Sequence, residues 1–131
     1  MFADSLAGSV LLGDGPLLFS ASGALDDDTL AEIDRVLGGS GTVHLLGGPA
    51  ALSADVAARL TDAGYTVNRL AGPSRVETAI AIADFAVDGT GAPTQVAIAR
   101  ADAPADSPSA AWVDAITAGA WAADSGQPVL L

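Results

Sequence analysis

The stretch from Thr42 to Leu70 constrains the fold more than any other. Thr42-Val43-His44-Leu45-Leu46 is a short apolar run that ends at the turn Gly47-Gly48-Pro49. Ser53 then opens a segment in which Val56, Ala57 and Leu60 recur at helical spacing, with the Ser placed to cap the first turn. Asp62-Ala63-Gly64-Tyr65 stops that segment, and Thr66 to Leu70 alternate into a second strand. A strand, a crossover helix and a second strand place the two strands parallel. The unit is β-α-β, with Gly47, Gly48 and Gly72 as its expected structural turns.

The same alternation runs through the rest of the chain. Residues 3–12 read as a small-residue helix with Asp4 near its N-terminus, where the helix dipole favours negative charge. Gly13-Asp14-Gly15-Pro16 ends it. Leu17-Leu18-Phe19, apolar on both faces and bounded by turn residues, predicts a central strand of a covered parallel sheet. Asp26, Asp27 and Asp28 precede Leu30, Ile33, Val36 and Leu37, one face of a helix. The three carboxylates read as caps and dipole partners rather than a metal site, because adjacent side chains diverge. Ser74 caps a further helix whose inward stripe is expected to be Val76, Ala79, Ile80, Ala83 and Val87. Val96 to Ala99 read as strand, Ser109 to Asp124 as helix and Pro128 to Leu131 as the last strand. The fold class predicted is α/β, a mostly parallel Rossmann-like or Toprim-like sheet with helices on both faces and right-handed crossovers.

Composition excludes several functions. At 131 residues one domain can bury a core without disulfides or metals. The absence of Cys removes thiolate catalysis and any Cys-based zinc site. A net charge of −11, with no Lys, argues against nucleic acid, whose binding needs a basic face to release counterions. No apolar run reaches the roughly eighteen residues of a membrane span, so membrane insertion is not expected. Met1-Phe2-Ala3-Asp4-Ser5 has no basic leader, and an export signal would have to lie in a part not included here.

Convergent chemistry is sparse. Gly47-Gly48-Pro49 follows a strand and precedes a helix but matches neither G-x-G-x-x-G nor the Walker pattern. Gly72-Pro73-Ser74-Arg75 sets a helix N-terminus beside Arg69 and Arg75, an arrangement able to hold an anion, although pairing with this chain's many carboxylates has an equal claim on both arginines. His44, the single histidine, lies within a strand and reads as structural. A G-x-S-x-G nucleophile turn is missing. Asp102, Asp106 and Asp114 read as a solvated acidic loop, with cooperative cation binding as the alternative. Trp112 and Trp121 fall at opposite angles of one helix, one toward the core and the other toward a partner domain. No enzyme activity is expected.

An internal repeat underlies this pattern. Phe2-Ala3-Asp4-Ser5-Leu6 corresponds to Trp112-Val113-Asp114-Ala115-Ile116, and Pro16-Leu17-Leu18-Phe19 to Pro128-Val129-Leu130-Leu131, at an offset of about 110 residues. The repeating unit is thus a whole α/β module. The chain is expected to start mid-repeat (residues 1–101) and to run into the start of the next repeat (residues 102–131).

These residues resemble the cell wall binding repeat 2 family. The matching positions are Phe2-Ala3-Asp4-Ser5-Leu6-Ala7-Gly8, Pro16-Leu17-Leu18-Phe19-Ser20, His44-Leu45-Leu46-Gly47-Gly48, and Arg69-Leu70-Ala71-Gly72 with Arg75 and Thr78. The resemblance implies a non-catalytic α/β module that holds an exported protein on the cell wall through an anionic surface polymer, outside the cell. It implies that such modules occur in tandem sets of three around a pseudo-threefold axis. By position it assigns polymer contacts to Leu17, Leu18 and Phe19, to Leu130 and Leu131 in the second copy, and to Arg69 and Arg75. No cofactor is implied. An acidic module must meet an anionic polymer through an Arg cluster, a bridging divalent cation or uncharged sugar contacts, and the Arg69 and Arg75 group, completed by a neighbouring repeat, is the favoured means. Val76 replaces the family's usual Tyr, Ser74 stands where Asp is common, and the loop from Asp102 to Ala111 is longer than usual. Two other readings compete: a structural surface-layer or self-assembling subunit, with neighbouring repeats or a homo-oligomer as partners, and a Rossmann-like nucleotide-binding domain, which would need a phosphate loop or acid at the strand ends.

Overall fold

The computed structural model describes residues 3–90, 92–102 and 113–131. The chain divides into two compact units, one of Leu18–Leu70 and one of Met1–Leu17 with Ala71–Leu131.

The contiguous unit holds α2 (Asp27–Leu37), β1 (Thr42–Leu46), α3 (Ala54–Asp62) and β2 (Thr66–Leu70). β1 and β2 are parallel, in register from Thr42 opposite Thr66 to Leu46 opposite Leu70, as the β-α-β reading requires. Leu25, Ile33, Leu45, Val56, Leu60 and Tyr65 form its buried core. The acidic run divides its work. Asp26 is the N-cap of α2, its carboxylate accepting the Thr29 N–H at 2.7 Å and the Thr29 hydroxyl at 2.9 Å. The Thr29 N–H, and then its hydroxyl, hold the Asp26 carboxyl below its usual pKa. Asp27 instead pairs with Arg59 of α3. Gly38, at φ 67°, ends α2 in the left-handed conformation that glycine adopts without a Cβ penalty. The Tyr65 hydroxyl donates to Asp34, tying the start of β2 to α2. Ser53 occupies the N-cap position of α3, but its side chain makes no cap bond. Its hydroxyl donates to Gly23 O at 3.1 Å and its N–H to Ser22 O at 2.8 Å, so the residue fastens the preceding loop.

The second unit holds α1 (Ala3–Ala7), which tightens into a 3₁₀ segment (Gly8–Gly13), then α4 (Arg75–Thr90), β3 (Ala97–Ile98), α5 (Val113–Ser125) and β4 (Val129–Leu130). β3 and β4 are parallel, with the Ala97 N–H bonded to Pro128 O and the Ala99 N–H to Leu130 O. The Gln127 side-chain oxygen accepts the N–H groups of Thr94 and Gln95, which fixes the approach to β3. Small side chains dominate the core: Ala3, Ala7, Ala79, Ala83, Ala99, Ala115 and Ala122 are buried, along with Ile82 and Val129. They let helices come close, and a Cβ on Gly119 of α5 would lie 2.8 Å from Ser9 Oγ.

Four expectations change. In place of one Rossmann-like sheet, the described residues form two parallel pairs, β1 with β2 and β3 with β4. Leu17-Leu18-Phe19 is not a strand. The run is only three residues long and follows Pro16, which has no N–H to donate to a ladder, and Leu18 and Phe19 are 37% and 66% exposed rather than covered. The helix expected over residues 3–12 gives way to 3₁₀ geometry at Gly8, where glycine weakens an α-helix. On α4 the buried residues are Thr78, Ala79, Ile82 and Ala83, while Val76 and Ile80 are exposed. Apolar residues nearly encircle this helix, so spacing alone does not single out its inner face. Phe2, Asp106, Trp112 and the expected helix start at Ser109 lie outside the described residues.

Candidate binding surface

In the unit Leu18–Leu70, the carboxyl ends of β1 and β2 meet the turn Gly47-Gly48-Pro49. Gly47 has φ 110°, a conformation that side chains disfavour, and its N–H donates to Leu70 O at 2.9 Å. Gly48 O accepts from the N–H groups of Ala51 and Leu52, and a Cβ there would meet nothing within 4 Å. Gly47 is therefore required by the turn and Gly48 is not.

Arg69, from β2, closes this turn. Its guanidinium donates to Gly47 O at 2.7 Å and to Ser53 O at 3.3 Å, and the side chain is part-buried. The sequence signal for Arg69 was anion binding or carboxylate pairing. Its guanidinium is held instead by two backbone carbonyls, which a short motif does not reveal because they depend on the path of the turn. Phe19 and Leu18 stand in a segment of the same unit outside helix and strand, with Phe19 O accepting the Thr29 hydroxyl at 3.3 Å. His44 lies on β1, its Nδ1 3.3 Å from Asn68 Nδ2 on β2, a cross-strand pair consistent with a structural role.

The other unit carries Leu17, Gly72, Arg75, Leu130 and Leu131. Leu17, Leu130 and Leu131 are part-buried, and Leu130 belongs to β4. Gly72 makes a close approach to α4: a Cβ would sit 2.3 Å from Glu77 Cβ and 2.6 Å from Glu77 C. The first turn of α4 supplies its own anionic acceptor. Glu77 accepts both the N–H and the hydroxyl of Ser74, and the Val76 N–H donates to Ser74 Oγ, a reciprocal capping arrangement. The Ser74 hydroxyl in particular holds the Glu77 carboxyl below its usual pKa. An incoming anion at this helix start would meet that charge. Arg75 donates to Ala101 O at 2.9 Å and lies 3.9 Å from Asp102, while Asp114 lies 3.6 Å from Arg100. Among the described residues no three acidic or histidine side chains group to hold a metal, and no helix is long and apolar enough to cross a membrane.

Burial raises the pKa of Asp4 on α1, an effect that the charge of Arg75 partly offsets. A carboxyl whose pKa is raised by folding costs stability above that raised value. Replacing Asp4 by Asn is therefore expected to stabilise the fold at pH 7, and the gain should fade once pH falls below the ordinary Asp value of 3.8, where both states are protonated. Urea unfolding of D4N and the parent at pH 7 and pH 3 checks the sign.

Parallel strand pairs joined by helices, with glycine turns at the strand ends, define the chain as an α/β module. Residues 69–131 match the model of the cell wall binding domain 2 (CWB2) family. The fold agrees with two solved structures. Cwp8 from Clostridium difficile superposes with a TM-score of 0.84 at 27% identity, covering 98% of this chain and 21% of that one. Cwp6 from Clostridium difficile gives a TM-score of 0.83 at 24% identity, covering 99% of this chain and 19% of that one. The chain thus spans about a fifth of the length of these relatives. No curated protein matches it.

Proposed function

We propose that the chain is a non-catalytic cell-wall-binding module that anchors an exported protein to the cell surface by holding an anionic wall polymer. The observation that carries this reading is the match of residues 69–131 to the CWB2 model, on a fold shared along nearly the whole chain with Cwp8. The polymer contacts proposed are Leu17, Leu18, Phe19, Arg69, Arg75, Leu130 and Leu131. Exposure orders them: Phe19 at 66% and Leu18 at 37% present an apolar contact to the sugar rings or backbone of a polymer, while the Arg69 guanidinium is engaged with Gly47 and Ser53. With a net charge of −11, the module meets an anionic polymer through such uncharged contacts or through a bridging divalent cation. Neighbouring repeats, or further copies of the chain, complete the proposed assembly around the domain arrangement of residues 1–101 and 102–131.

Co-sedimentation with intact cell walls, and with walls stripped of their secondary polymers, tests the proposal at low and high salt with and without divalent cation. Retention by intact walls alone supports it. Equal failure on both, from a folded chain, overturns it and favours the self-assembling subunit, which size-exclusion chromatography would reveal. Phe19→Ser is expected to lower retention roughly tenfold, about 1.4 kcal/mol, while changing stability by less than about 0.5 kcal/mol, as for other exposed positions.

A further inference from the structure

We draw no further inference here: the strongest candidate, the exposed apolar side chains of the unit formed by residues 1–17 and 71–131 (Val76 and Ile80 on α4, Ile98 on β3 and Ile116 on α5), carries nothing because nothing in the structure shows what covers it.

Discussion

Gly72→Ala is expected to destabilise the fold by about 3 kcal/mol, the upper range for overpacking a filled site. The new Cβ would stand 2.3 Å from Glu77 Cβ, 2.6 Å from Glu77 C and 2.9 Å from the Thr78 nitrogen. Two of these atoms are backbone in the first turns of α4, and the third is attached directly to it, so no flexible side-chain end can swing away. Relief requires moving the loop off the helix. That movement would also break the bond from the Gly72 N–H to Thr78 Oγ1, 3.1 Å long and part-buried. Gly48→Ala is the matched control, because a Cβ there meets nothing within 4 Å. Its expected change is under about 0.5 kcal/mol. Urea unfolding followed by far-ultraviolet circular dichroism compares the two, and equal midpoints would contradict the close approach at Gly72.

Arg69→Met is expected to cost about 2–3 kcal/mol, the range for losing hydrogen bonds to a charged donor in a part-buried setting. Met preserves much of the side chain's apolar stem but leaves Gly47 O and Ser53 O without the guanidinium. Most of the loss should come from Gly47, whose bond is 2.7 Å against 3.3 Å for Ser53. Arg69→Lys should recover less than half, since an ammonium lacks the planar fork that spans two carbonyls. Reading wall retention beside stability separates two roles for this residue. A polymer contact predicts that Lys keeps most binding while stability stays low. A purely structural Arg69 predicts that binding follows the folded fraction in every variant. Unchanged stability in Arg69→Met would mean that the carbonyl bonds contribute little.

The helices and strand pairs were legible wherever local chemistry and periodicity agree. Asp26 before an amphipathic run, Gly38 after it, and the apolar strand ahead of Gly47 each fix a boundary within a few residues. The parallel pairing of β1 and β2 followed from the helix that connects them. Leu17-Leu18-Phe19 failed because its apolar character stands for burial only if a partner strand exists, which three residues cannot disclose. α4 failed differently: its Ala, Val and Ile residues lie on several faces, and Ile82 rather than Ile80 fills the core. At the candidate surface, the glycine turns were readable, but the duty of Arg69 was not. An arginine's partners among backbone carbonyls depend on tertiary path, whereas the capping of α4 by Ser74 and Glu77 is spaced three residues apart and was within reach of the sequence.

The unit Leu18–Leu70 interrupts the other one, whose strands of sequence resume at Ala71. This connectivity favours one order of assembly. The interrupting segment gathers its contacts within a continuous stretch, whereas joining α1 to α4 must first close a loop of about 67 residues, and joining it to α5 one of about 105, at an entropic cost that grows with the logarithm of loop length. As the chain leaves the ribosome, residues 3–17 emerge well before α5 and wait for it before the alanine core can close. Their apolar side chains therefore spend that interval without their native neighbours, and a translational pause before Val113 would prolong it.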